Sequence, residues 1–146
     1  MWSKWGEGLN KHLLAQIFNE IGLLLELKGE NSFKSRAYYN VARVVENLKE
    51  DLGVLIEGNR LREIPGVGEA ISQKIIEWSR TGRIEYYETL KNNTPPGLLE
   101  LLRIPGLGPK KVNQLYTALG ITNLEMLGEA CQRNQLISIA GFGVKT

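Results

Sequence analysis

The chain repeats itself: Ile64-Pro65-Gly66-Val67-Gly68 returns 40 residues later as Ile104-Pro105-Gly106-Leu107-Gly108. Proline fixes one backbone angle and glycine reaches conformations that other residues avoid, so each copy predicts a tight corner whose glycines take positive φ. The frame repeats as well. Leu61 to Ile64 is matched by Leu101 to Ile104, and each copy leads into an amphipathic helix, carrying Ile71 and Ile75 in one case and Val112, Leu115, Tyr116 and Leu119 in the other. A third, degenerate copy, Ile139-Ala140-Gly141-Phe142-Gly143, starts shortly before the chain stops at Thr146. That spacing is expected of a piece of a longer protein or of a degenerate last repeat. A chain built this way is committed to helical corners, and no alternating strand pattern of useful length occurs in it.

The residues before the first corner predict a helical bundle. Leu13, Leu14, Ile17, Phe18, Ile21, Leu24 and Leu25 recur at three- and four-residue steps, a broad apolar stripe on a helix of about five turns ending near Gly29. After an Asn31-Ser32 start signal, Phe33, Ala37, Tyr38, Val41, Val44, Val45 and Leu48 draw a second stripe, with Lys34, Arg36, Arg43 and Lys49 off it. Leu52 to Ile56 adds one or two turns. Thr81-Gly82 ends the helix after the first corner, and Pro95-Pro96-Gly97 separates Ile84 to Leu90 from Leu98 to Leu102. The expected fold is all-α: a small bundle with the first corner over residues 1–88, then the second and the incomplete third over residues 89–146.

Composition narrows the chemistry. The 146 residues are 42% hydrophobic and 23% charged, ordinary for a soluble domain, and the net charge of +2 requires any basic surface to be local. One cysteine, Cys131, and one histidine, His12, leave no internal disulfide and no structural zinc set. The longest apolar stretch is interrupted by Gln16, Asn19, Glu20, Gly22 and Glu26, too polar to span a bilayer, and the first residues lack the pattern of a secretion signal. A cytoplasmic chain is expected.

A turn of apolar-Pro-Gly-apolar-Gly in front of a helix leaves the first amides of that helix exposed, where the helix dipole favours an anion. One phosphate of a nucleic-acid backbone suits it, with Lys110 and Lys111 beside the second turn adding charge-assisted contacts. Such contacts carry no base information. The plainer reading, a tight turn between packed helices, fits a single Gly-x-Gly but accounts less well for three copies in matching frames. Neither full copy is a dinucleotide or nucleoside-triphosphate loop, since no strand precedes it and neither the third glycine nor a Gly-Lys-Ser/Thr ending follows.

The two full copies resemble paired helix-hairpin-helix motifs, and Phe33-Lys34-Ser35-Arg36-Ala37-Tyr38 resembles the second helix of the small N-terminal domain of family X DNA polymerases, those similar to polymerase β. The resemblance covers nearly the whole chain, and the third start at Ala140 to Gly143 is closer to the bacterial branch. It implies DNA as partner, bound at gaps, nicks or 5'-phosphorylated ends without sequence preference, in repair, by a monomer near the nucleoid. Gly66, Val67, Gly68, Gly106, Leu107, Gly108, Gly141 and Gly143 would offer backbone to phosphate, and Lys34, Tyr38, Arg62 and Lys74 would line the 5'-phosphate side. Lys74 matches the family's Schiff-base lysine of 5'-deoxyribose-phosphate lyases, whereas Ala70 and Tyr86 replace phosphate-binding lysines and Phe33 replaces a pocket histidine. The family's hairpins also hold Na+ or K+ when DNA is bound, through backbone carbonyls that correspond to Arg62, Ile64 and Val67 and to Leu102, Ile104 and Leu107; no other cofactor is implied. A single aspartate, Asp51, cannot supply the metal-binding set of a polymerase, so nucleotide transfer would belong to a longer protein. A protein-docking module without DNA is the other class of answer.

Among the remaining features, Tyr38 is expected in the core and Tyr39 freer to stack. His12 is expected at the surface near a helix start, Cys131 as a small buried residue in a helix capped by Asn123, and Trp2 and Trp5 outside the periodic segments.

Overall fold

The computed structural model describes residues 10–29 and 32–133, and within them the chain is helical with no strand. The elements are α1 (Lys11–Leu27), α2 (Ser32–Glu46), α3 (Leu52–Glu57), a 3-10 turn (Leu61–Glu63), α4 (Glu69–Thr81), α5 (Glu85–Asn92), α6 (Pro96–Leu101), α7 (Pro109–Leu119) and α8 (Leu124–Gln132). The third repeat, with Gly141 and Gly143, lies outside the described residues, as do Trp2, Trp5 and Asn31. No described helix is long and apolar enough to cross a membrane.

Most of the two predicted stripes forms the core, but Leu13, Phe33 and Ala37, expected on them, are exposed. Leu14, Phe18, Ile21, Leu24 and Leu25 of α1 are fully buried against Tyr38, Val41 and Val45 of α2. Asn10 opens α1 by accepting the His12 amide at 2.8 Å, and Gly29, at φ +70, turns the chain after it. The α1 helix also reaches past α2 to touch α5 and α7, and the Asn113 side chain of α7 donates to the Leu27 carbonyl. One connected set of buried side chains therefore runs from Leu14 to Ala130.

Both corners are type II turns with the same wiring. The Ile64 carbonyl accepts the Val67 amide and the Ile104 carbonyl the Leu107 amide, each at 3.0 Å, around a proline and then a glycine at φ +86 (Gly66) or +90 (Gly106). Val67 and Leu107 are buried, which anchors each turn to the core. The expectation of positive φ holds only for the first glycine of each pair. Gly68 (φ −99, ψ −165) and Gly108 (φ −90, ψ 178) are extended, and a Cβ on either would meet nothing within 4 Å. Neither the conformation nor the neighbours require glycine there.

Three surface expectations are settled. His12 is exposed and pairs with Glu46. Tyr39 is the freer of the two tyrosines, half-buried where Tyr38 is buried, but it is engaged: its ring covers Gly22, where a Cβ would stand 2.6 Å away, and its hydroxyl donates to Glu26. Cys131 is exposed, not buried, because α8 turns Ala130 inward and leaves its neighbour outside. The Asn123 cap of α8 is present, accepting the Met126 amide at 2.8 Å.

Candidate functional site

A helix leaves its first amides without intrahelical acceptors, and the usual remedy is a polar side chain at the N-cap. Asn10, Asp51 and Asn123 provide that remedy for α1, α3 and α8, and the Glu77 carboxylate accepts the Glu85 amide at the start of α5. The two helices that follow the Pro-Gly corners have glycine N-caps, Gly68 and Gly108, and no side-chain cap. Their first turns are thus left open at the surface, with the positive end of the dipole outward. Lys110 is exposed beside the second opening and Lys111 half-buried.

Lys34 and Tyr38, one turn apart on α2, and Lys74 of α4 meet at Tyr86 of α5. Phe18, Tyr38 and Tyr86 form a column of rings from the core to the surface, with centroid separations of 5.9 and 6.0 Å, the outer two stacked at 22°. The Lys74 ammonium lies 4.7 Å and that of Lys34 5.4 Å from the Tyr86 centroid, so two cations share the outermost ring. Burial, and then the charge of Lys34, lower the Lys74 pKa against the opposing effect of Glu77. Lys74 lines an open cleft of about 480 Å³ with Ala70, Gln73, Glu77, Glu85, Tyr86 and Thr89. Tyr38 itself is covered: burial, with Tyr86 next, pushes its hydroxyl up to about 12, so it is a neutral floor near pH 7 and no base.

The other expected residues fall around these two features. Arg62 is exposed before the first turn and sits 3.4 Å from the Glu69 carboxylate. Val67 and Leu107 turn their side chains inward, leaving only backbone for a ligand. The Ile64 and Ile104 carbonyls each accept one turn hydrogen bond, which leaves a lone pair apiece. Phe33 stands 77% exposed at the start of α2. Sequence reasoning noted Tyr86 only as a missing lysine; its role as the platform under both amines depends on the corner between α4 and α5, which residue spacing does not reveal. Glu69 was missed too, although an acid in the first turn of only one of two matching helices was the available signal.

Comparison with known proteins agrees with this geometry. The family described as "Helix-hairpin-helix domain" matches residues 10–84, and the "SAM-like Helix-hairpin-helix tandem" matches residues 98–146. The DNA polymerase/3'-5' exonuclease PolX of Bacillus subtilis (strain 168) is 34% identical over 138 residues, 94% of this chain and 24% of that protein. The chain therefore spans about a quarter of the length of that relative. With paired Pro-Gly corners in its fold and a family match over half of its residues, the chain belongs to the helix-hairpin-helix family, in the form related to family X DNA polymerases.

Proposed function

We propose that this chain binds DNA through backbone phosphates, without reading sequence, as the DNA-handling part of a family X polymerase. The observation that carries this reading is the pair of uncapped helix starts behind matching turns, Gly66-Val67-Gly68 and Gly106-Leu107-Gly108, with Lys110 and Lys111 beside the second. Gapped and nicked duplexes with a 5'-phosphate are the preferred targets, because the Lys34–Lys74 pair offers a second cationic point for a terminal phosphate. When phosphate is bound, Na+ or K+ fits against the free lone pairs of the turn carbonyls, Ile64 and Ile104 among them.

Gly108 is the cleanest place to test this. A valine there keeps an allowed conformation, its Cβ meets nothing within 4 Å, and it adds bulk at the N-cap of α7. Gly68→Val/Gly108→Val is expected to keep the melting temperature within a few degrees and to weaken binding to a 5'-phosphorylated gapped duplex by at least about tenfold in fluorescence anisotropy, the loss of a strong hydrogen-bonded contact or more. Equal affinity in wild type and variant would remove the turns from the interface. No binding of wild type to gapped, single-stranded or intact DNA would favour a protein-docking module.

A second reading, 5'-deoxyribose-phosphate lyase, is favoured by the half-buried Lys74 amine, whose pKa is lowered. The neutral amine adds to the C1' aldehyde and loses water to give an imine. Loss of a C2' proton then breaks the C3'–O bond and releases the 5'-phosphorylated strand. Borohydride is expected to trap the wild type and not Lys74→Ala. Because Lys34 helps lower the Lys74 pKa, trapping should rise with pH through a midpoint below the ordinary lysine value of 10.5, and Lys34→Ala should move that midpoint upward. Equal trapping of wild type and Lys74→Ala would end this reading.

A further inference from the structure

The two hairpins share a backbone and differ in charge. At matching positions the first has Arg62, Glu63, Glu69, Ala70 and Ile71, and the second has Leu102, Arg103, Pro109, Lys110 and Lys111. One arginine against two glutamates gives −1 for the first; one arginine with two lysines gives +3 for the second. Each acid at the first hairpin is engaged. Glu63 pairs with Arg60 at 3.1 Å, while Glu69, the first residue of α4, lies 3.4 Å from Arg62 and accepts from Gln73 at 3.0 Å.

A carboxylate in the first turn of a helix interacts favourably with the same positive helix end that attracts a phosphate. Here it also holds the nearest guanidinium. We infer that Glu69 is a built-in competitor for phosphate at the first hairpin, so that the second hairpin is the strong DNA anchor and the first a weaker, exchangeable one. This rests on the phosphate-binding reading given above. The Arg62–Glu69 pair is about two-thirds exposed on both sides, and an exposed pair is weak enough for a phosphate to displace. Glu69 therefore sets the affinity of the first hairpin and does not close it. A weak contact beside a firm one suits a chain that must reposition on gaps of different length.

The test uses the full chain and a 5'-phosphorylated gapped duplex, followed by anisotropy across a salt series, with melting temperature as the check on folding. Glu69→Gln keeps the shape and removes the charge. It is expected to bind roughly fivefold tighter at low salt, with a log-log salt slope steeper by about 0.9, one further phosphate neutralised. Arg62→Ala should cost more affinity in the Glu69→Gln background than in the wild type, because only there is the guanidinium released. Lys110→Ala/Lys111→Ala should flatten the slope by about 1.8 in either background. A wild type that binds while Glu69→Gln leaves affinity and slope unchanged overturns the inference alone; a wild type that binds no DNA overturns the phosphate reading and the inference with it.

Discussion

Phe18→Ala is expected to destabilise the chain by about 3–5 kcal/mol, the usual cost of removing a large buried aromatic side chain. Phe18 is fully buried and forms the base of the ring column that continues through Tyr38 and Tyr86 to the two lysines. A cavity there removes ring contact from Tyr38, and the layers above lose their fixed height. Phe18→Leu, which keeps most of the volume, should cost under about 1.5 kcal/mol and leave the column standing. Urea denaturation measures both costs. A loss below about 1 kcal/mol for the alanine would show that the core closes over the gap and that the lysine platform does not depend on it.

Gly97→Ala should destabilise by more than about 2 kcal/mol, although a glycine in a helix ordinarily costs stability relative to alanine. Gly97 lies in α6, and a Cβ placed on it would stand 1.9 Å from the Thr122 carbonyl oxygen and 2.9 Å from the Asn123 Cβ. Both neighbours belong to the link between α7 and α8, and one is backbone, so no rotamer change relieves the clash. Moving that link also disturbs the Asn123 cap of α8. Gly128 is the matched control: it is helical too, a Cβ there meets nothing within 4 Å, and Gly128→Ala should stabilise by about 0.5–1 kcal/mol. The opposite signs are read directly from two thermal melts. A stabilising Gly97→Ala would mean that α6 and the α7–α8 link are not held as close as described.

Much of this was legible in the residues because helices announce themselves by local rules. The stripe from Leu13 to Leu25 placed α1, Thr81-Gly82 placed the end of α4 with Gly82 at φ +77, and the two Ile-Pro-Gly-x-Gly copies placed both turns. These depend on periodicity and on the conformations of proline and glycine, which neighbours distant in sequence hardly alter. The glycines were legible only by halves. Positive φ at Gly66 and Gly106 follows from the turn type, whereas only the backbone shows that Gly68 and Gly108 are extended and need no positive φ.

The sequence by itself therefore determined the helices, the paired corners and the family to which they belong, since each is encoded within a few consecutive residues. Only the tertiary structure decided what meets across the folds: Lys34 and Lys74 on the face of Tyr86, Arg62 against Glu69, Asn113 on the end of α1, Tyr39 against Gly22, and Cys131 outside. Those contacts depend on how helices cross and how far each is rotated about its axis. A rotation of one residue, about 100°, would change the partners without altering the pattern that places the helix.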